Sequence, residues 1–460
     1  MAALALMTIA CSNDDNDIAQ QPQMAEGITI TATLAPKTNM TRAVADNGDN
    51  KITVTWAENE HIAILYTKDE TQFAADAEIT AVDGSGTATI TFTVQTGTPD
   101  DTPCTLVYPY SAAKADHSGV KDAATLLAAQ DGTLNANLDV RVGAGTIQTT
   151  TPGLTVTTQP AAQFAIFKFT TKTSDGSATI DVKPLTITTG GQDYVITPAS
   201  ATSALYAALP AVSGQAVTFT ATGSDSKTYM ASKASVTFAA GKYYQSTVKM
   251  HGFVDLGLSV KWADMNVGAA SETARGNYFA WGETTGYAYD SGHDFSEANY
   301  SLYDSGTTTL TKYTWDGSTF DYTTLQTADD AVAHSWGGTC RMPTKAEWQE
   351  LIANCTAEWQ TEGTLGVKFT SNVSGYTTKS FFLPATGYYN GTNNVGTNIY
   401  ACYWSSSLYA DNQGTDIEPL YAPTYAWYLD VLYNSGSIYR NQVMNKKRYY
   451  GMPVRPVLGN

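Results

Sequence analysis

Charge is scarce in this chain of 460 residues: Asp, Glu, Lys and Arg together make up 15%, with 26 basic against 43 acidic side chains. The resulting net charge of −17 repels phosphate backbones and anionic headgroups, which excludes nucleic acid as a partner. Apolar residues still reach 43%, enough to bury two or three packed cores, so a disordered polyelectrolyte is excluded as well. Long apolar runs are missing. Beyond the first ten residues none approaches the roughly 20 that a membrane-spanning helix needs, so any membrane attachment has to come from the N-terminus. Cysteine is sparse too: Cys11, Cys104, Cys340, Cys355 and Cys402 offer no C-x-x-C spacing, which argues against a zinc ribbon or a full disulfide framework. One bridge among the last three can be drawn, but packing as small apolar side chains is the preferred reading. Histidine is rarer still, and none of His61, His117, His251, His293 and His334 stands in an H-x-H or H-E-x-x-H arrangement. No metal and no cofactor are expected.

Aromatic usage marks the main internal boundary, because 20 of the 28 Tyr and 8 of the 9 Trp lie after His251. The first 250 residues are instead rich in Thr, Ala, Val and Ile, in short runs with the period of a half-buried strand. Ile52, Val54 and Trp56 share one face of such a run, and Ile90, Phe92 and Val94 share one face of another. Turn signals such as Asp46-Asn47-Gly48 and Asp83-Gly84-Ser85-Gly86 punctuate them, so an antiparallel sandwich is expected, with one brief helix over residues 121–130. A second strand set begins near Gln163 and runs to about residue 249. The Thr/Pro/Gly-rich stretch 143–160 suggests a cut near 155, or a long loop within one larger domain.

The extreme N-terminus is an apolar run ending in Thr8-Ile9-Ala10-Cys11, followed by Ser12-Asn13-Asp14-Asp15-Asn16-Asp17. It resembles a bacterial lipobox followed by the acidic tract of surface-exported lipoproteins, which implies lipidation of Cys11 and an outer-membrane lipid anchor. A cleaved secretory peptide with an incidental cysteine is the alternative. Further on, Thr41-Arg42-Ala43, Ile52-Thr53-Val54-Thr55-Trp56 and Glu60-His61-Ile62-Ala63-Ile64 occur in an order that resembles the start of fimbrillins, the type V pilins of Gram-negative gut and oral bacteria. That family implies two transthyretin-like β-sandwich domains. It also implies proteolytic processing after an arginine, matched here by Arg42, and entry of a strand from another subunit into the freed groove. The strand expected to leave covers residues 28–34, with Ile28, Ile30 and Ala32 alternating. Arg42 also reads as an ordinary exposed arginine in a polar loop.

From Phe253 onward a denser set of motifs occurs in order. These are Val254-Asp255-Leu256-Gly257-Leu258-Ser259-Val260-Lys261-Trp262-Ala263, Tyr278-Phe279-Ala280-Trp281-Gly282-Glu283, Arg341-Met342-Pro343-Thr344, Tyr403-Trp404-Ser405-Ser406-Ser407 and Gly451-Met452-Pro453-Val454-Arg455-Pro456-Val457. Together they resemble the Fibrobacter succinogenes major paralogous domain, related to the C-type-lectin-like fold of formylglycine-generating enzymes. An α+β domain is implied. Locally, Thr344 and Glu347 form a capping-box pair ahead of Trp348, Leu351, Ile352 and Cys355 at one-face helical spacing, and residues 329–333 read as a second helix. The expected organisation is a signal and tether over 1–26, sandwiches over 27–155 and 156–250, and the lectin-like domain over 251–460.

An enzyme reading finds little to work with. The cysteines of the formylglycine-generating relatives have no counterpart in residues 403–460, and Ser405 stands where a sugar-calcium signature wants a carboxamide or carboxylate. Asp290, Asp294, Glu297 and Asp304 read as a solvated acidic loop rather than a calcium site. What remains is a surface rich in Tyr, Trp and Asn, side chains that stack on sugar rings or anchor a protein partner at low entropy cost. Trp262, Trp281, Trp348 and Trp404 are expected in the core; Tyr388, Tyr389, Asn390, Tyr421 and Tyr425 are the candidates for an exposed binding face. The expectation is a non-enzymatic tip or cap subunit of a pilus at the cell surface. It accepts a strand from stalk fimbrillins and presents a lectin-like domain to a glycan or a surface receptor. A solitary glycan-binding surface lipoprotein is the first alternative, and an enzyme using Glu283 or His293 the second.

Overall fold

The computed structural model describes residues 27–37, 40–42, 51–52, 54–135, 138–304, 306, 309–316, 319–410 and 422–459. The protein is mainly β, in several antiparallel sheets, as the alternation predicts. Its first strands are β1 (Gly27–Leu34), β2 (Met40–Arg42), β3 (Lys51–Ile52), β4 (His61–Lys68), β5 (Thr71–Val82) and β6 (Ala88–Gln95). Next come β7 (Thr102–Tyr108), helix α1 (Ala123–Leu126), β8 (Arg141–Gln148), β9 (Gly153–Ala162), β10 (Phe164–Thr173), β11 (Val182–Thr189) and β12 (Gln192–Ile196). They are followed by β13 (Ala204–Pro210), β14 (Val212–Gly223), β15 (Thr228–Phe238), β16 (Lys242–Val254) and β17 (Val260–Ala263). The described chain divides into two compact units, one of residues 27–37, 55–120 and 141–161, the other of the remainder.

The first unit is one seven-stranded sheet in the order β1-β6-β5-β4-β7-β8-β9. Alternation decides its faces: Ile30 and Leu34 of β1, Ile90, Phe92 and Val94 of β6 and Ile62 and Ile64 of β4 all point into one core, while threonines occupy the other face of β1 and β6. The expected strand through Ile52, Val54 and Trp56 is shorter, since β3 ends at Ile52 and Trp56 lies outside any strand. Trp56 is buried all the same, because its indole Nε1 donates to Ala35 O at 2.9 Å and its ring meets Tyr108 edge-on at 5.2 Å. The stretch 143–160 is no loop. It forms β8 and β9, neighbours in the sheet, and its glycines are there for close approach: a Cβ on Gly143 would lie 2.6 Å from Thr158 O and one on Gly145 2.9 Å from Thr155 O.

In the second unit β16 is the hub. Its first part runs parallel to β10, from Tyr243 opposite Ile166 to Met250 opposite Thr173; His251 and Phe253 then pair antiparallel with β15, and Phe253 and Val254 with β17. The composition step at His251 therefore coincides with no break in the backbone. A single strand carries the chain from the Thr-rich sheets into the Tyr/Trp-rich part, and strand Val457–Gly459 joins the same sheet beyond β17. The brief helix expected over 121–130 shrinks to the four residues of α1, capped by Asp122, whose carboxylate accepts from Thr125 N at 2.8 Å.

The Tyr/Trp-rich part packs two three-stranded antiparallel sheets, Cys355–Gln360 with Gly366–Ser371 and Ser380–Pro384, and Tyr400–Leu408 with Tyr425–Asn434 and Ser437–Lys447. Its helices are α2 (Ala331–Trp336) and α3 (Lys345–Asn354). The Thr344/Glu347 capping box forms as read, and Trp348 and Leu351 are buried; Cys355 begins a strand instead of extending the helix face. Asp330 caps α2, its carboxylate accepting from Val332 N at 2.8 Å and Ala333 N at 3.1 Å, so this helix starts two residues later than expected. Trp262, Trp281, Trp348 and Trp404 are fully buried, as the motifs implied. Cys104, Cys340, Cys355 and Cys402 are free and buried, and Cys11 lies outside the described residues. Among the described residues, no helix is long and apolar enough to cross a membrane.

Candidate functional site

Two features qualify, a strand edge in the first unit and an aromatic face in the second. At the edge, β1 lies at the border of its sheet and among the described residues makes one ladder, antiparallel to β6 from Gly27 opposite Gln95 to Leu34 opposite Ala88. Thr29 and Thr31 meet Thr93 and Thr91 across the exposed face at 3.3 and 3.5 Å. A polar clasp holds the end of the segment. Buried Lys37 places its Nζ 3.8 Å above the Tyr108 ring, 4.4 Å above the Trp56 ring and 3.6 Å from Glu60 Oε2, while the Tyr108 hydroxyl donates to Glu60 Oε1 at 2.6 Å. Glu60, singled out by sequence as part of a motif, thus closes the pocket behind β1.

Arg42 does not stand in a loop. It ends β2, whose backbone pairs in parallel with β16, Thr41 opposite Lys242 and Arg42 opposite Tyr243. The segment from Gly27 to Arg42 therefore contributes a strand to each unit. The second unit has an open edge of its own. Past Met230, β15 has no ladder to β16 among the described residues, and an apolar groove of about 550 Å³ lies there, lined by Phe167, Phe169, Phe219, Phe238 and Tyr244.

Of the five candidates for the exposed aromatic face, two, Tyr388 and Tyr425, are half-buried with a lysine over each ring. Tyr388 is half-buried and stacks on Tyr450 at 5.8 Å, with Lys446 Nζ 3.7 Å above its ring. Tyr425, also half-buried, carries Lys447 Nζ at 4.7 Å, and Tyr449 packs on Tyr450 at 5.1 Å. Burial pushes the Lys446 ammonium below its ordinary range and the Tyr388 phenol above its own. Tyr389 is a correction. In the short strand Tyr388–Asn390 successive side chains alternate, so Tyr389 turns inward, packs edge-on against Tyr278 at 4.9 Å and accepts from Asp290 N at 3.0 Å. Asn390 is exposed at the hairpin tip, and Tyr421 lies outside the described residues. Sequence reading missed Lys446, Lys447, Tyr449 and Tyr450, although the run Lys446-Lys447-Arg448-Tyr449-Tyr450, basic and aromatic in so acidic a chain, was the available signal.

The side chains considered for chemistry have structural employment. Glu283 Oε1 accepts from Ser301 N at 2.6 Å, and His293 stacks on Tyr287 at 3.5 Å. Asp294 is tied to Ser296 and Asn299, and Asp304 to Gly306 N. Among the described residues no three His, Cys, Asp or Glu side chains converge as metal ligands.

No family model matches the chain, and no curated protein does. Among solved structures, a candidate cell adhesion protein of Bacteroides fragilis aligns over 49% of this chain and 96% of its own, at 11% identity and a TM-score of 0.31. A fimbrial assembly protein of Parabacteroides distasonis aligns over 50% and 95%, at 11% identity and 0.28. A fimbrial protein of Bacteroides ovatus aligns over 95% and 100%, at 11% identity and 0.26. Overlap of this size leaves the chain's own edges and surfaces to carry the functional reading.

Proposed function

We propose that the protein is an exported, non-enzymatic surface subunit of a type V-like fibre. It sits at the tip or cap and is anchored through Cys11 until processing after Arg42. The observation that carries this reading is the placement of β1. A border strand with a single ladder can leave without dismantling its sheet, and its departure exposes the backbone N–H and C=O row of β6 beside a groove emptied of Ile30, Ala32 and Leu34. Each fully buried Ile or Leu is worth roughly 1.5–3 kcal/mol, so the vacated groove selects an incoming strand with apolar residues at alternate positions. Strand β16 cannot serve as the reciprocal gift, because β10, β15 and β17 all hold it and it continues into the aromatic part. The subunit accepts a strand through its first unit and presents the second to a glycan or a surface receptor.

The test is to cleave the purified chain after Arg42, remove the freed segment, and add a peptide of alternating apolar residues taken from a stalk fimbrillin tail. Amide exchange should slow again along residues 88–95. Protection that returns only along β16 moves the acceptor to the groove beside β15, and no protection anywhere ends the strand-acceptor reading. Recovery of the protein in detergent-solubilised membranes but never in sheared fibres favours the solitary glycan-binding lipoprotein instead.

A further inference from the structure

A cavity of about 550 Å³ opens in the second unit, lined among others by Thr273, Arg275, Tyr289, Thr364, Leu365 and Asn398. Four separate loops and a strand end build it, and its polar centre is Arg275. That guanidinium lies 4.6 Å from the centre of the Tyr289 ring, and its Nη2 donates to Asn398 Oδ1 at 3.3 Å. Its Nε is enclosed yet has no hydrogen-bond partner. No ion pair joins it to a described carboxylate. The other arginines of this part are spent: Arg341 is paired with Glu347, Arg440 with Asp430, while Arg448 and Arg455 donate to backbone carbonyls.

An enclosed donor without a partner is costly, and in a chain of net charge −17 a carboxylate is the expected neighbour. The position is nevertheless built. Asn266 Nδ2 donates to Arg275 O at 2.7 Å, and Gly276 takes φ +73 where a Cβ would lie 2.5 Å from Val267 O, so the arginine's backbone is held from both sides. The Tyr289 ring lies over the guanidinium, and Arg275 and Tyr289 both line the cavity. The same cavity is lined by the hydroxyl-bearing Thr273 and Thr364, the exposed Asn398, and the apolar Leu365 and Pro384.

The geometry points to a binding site for a carboxylated sugar residue, a uronic or sialic acid type unit. Its carboxylate takes the terminal Nη donors that Asn398 does not use, its hydroxyls meet Thr273, Thr364 and Asn398, and the C–H face of its ring lies on Leu365 and Pro384. This deepens the reading of the second unit as the presented recognition part, and rests on it.

The test titrates the full chain, by calorimetry or saturation-transfer NMR, with methyl glucuronoside and methyl N-acetylneuraminoside, using methyl glucoside and acetate as controls. The carboxylated sugars should bind on the order of tenfold or more tightly than either control, and Arg275→Gln should remove that margin while leaving the melting temperature unchanged. Arg275→Lys should keep part of the affinity but not the preference, since an ammonium lacks the planar fork. Equal binding of methyl glucoside, or Arg275→Gln binding as the parent does, overturns the proposal. Acetate binding as tightly as the sugars overturns it too and leaves a plain carboxylate site. The strand-acceptor experiment does not involve Arg275, so failure here with strand capture intact refutes the sugar site alone.

Discussion

The first unit and the aromatic part of the second solve the same problem by different means. In the first, structure is held by ladders: alternating apolar residues face a core, threonines face out, and each strand is bound through backbone groups that any other strand could satisfy. In the aromatic part, long loops are pinned by buried arginines. Arg448 donates to the Tyr300 hydroxyl at 2.9 Å and to the carbonyls of Lys312, Tyr313 and Pro423 between 3.0 and 3.3 Å, and Arg455 reaches Ala263 O and Phe382 O, each at 2.9 Å. Ladder contacts are generic and can be exchanged. A buried guanidinium is addressed to named carbonyls, so its loops have one arrangement. The proposed strand acceptor and the proposed recognition part need those opposite properties.

The comparison can be broken most sharply at Arg448. Replacing it with methionine leaves three buried carbonyls and a buried hydroxyl without a donor, a loss of about 3–5 kcal/mol. Urea unfolding followed by Trp fluorescence, which reports mainly the aromatic part, should shift strongly, whereas amide exchange within β4–β7 should not change. Equal loss of protection in both units would show them to unfold together.

A somewhat smaller effect is expected for Leu34→Ala at the end of β1. Deleting a fully buried Leu side chain costs about 2–5 kcal/mol. Here the change should appear as faster exchange along β1 and β6 rather than as global melting. Protection along β1 that matches the parent protein would contradict the view of this strand as separable.

His251 tests the join in β16. It stacks on Trp336 at 3.6 Å, and burial pushes its pKa down from 6.5 to about 4. A histidine kept neutral when folded contributes stability above its unfolded pKa and loses it as the pH falls. Between pH 6.5 and about 4 the protein should therefore lose roughly 2–3 kcal/mol, and His251→Phe, which keeps the stack, should flatten that part of the profile. A variant with the same acid sensitivity as the parent would place the effect elsewhere.

Tyr108→Phe should do least. Removing the hydroxyl that donates to Glu60 costs about 1 kcal/mol and loosens the clasp behind β1. Faster removal of the cleaved segment, measured by peptide release, is the expected sign, and an unchanged release rate would take the clasp out of the account.

Much of this architecture is legible along the chain because it depends on neighbours in sequence. A period of two settles which side of β1 and β6 meets the core, and the Thr344/Glu347 pair marks the start of α3 within four residues. Tryptophans at motif positions are buried for their size alone. The same local logic misplaced Tyr389, because three residues of a hairpin strand give no warning of which face will be inside. It also took the glycines of 143–160 for a linker, when they admit a neighbouring strand.

Local sequence thus determined that the protein would be built of strands and where its cores would draw their side chains. The folded arrangement alone decided that β2 leaves the company of β1 to lie on β16, and that β16 changes partners along its length. It alone decided, too, that Arg275 finds no described carboxylate where four loops meet. Alternation and capping are energies of residues a few positions apart. Ladder choice and unpaired donors are settled between residues from about twenty to two hundred positions apart, where any of several pairings satisfies the backbone and packing selects one.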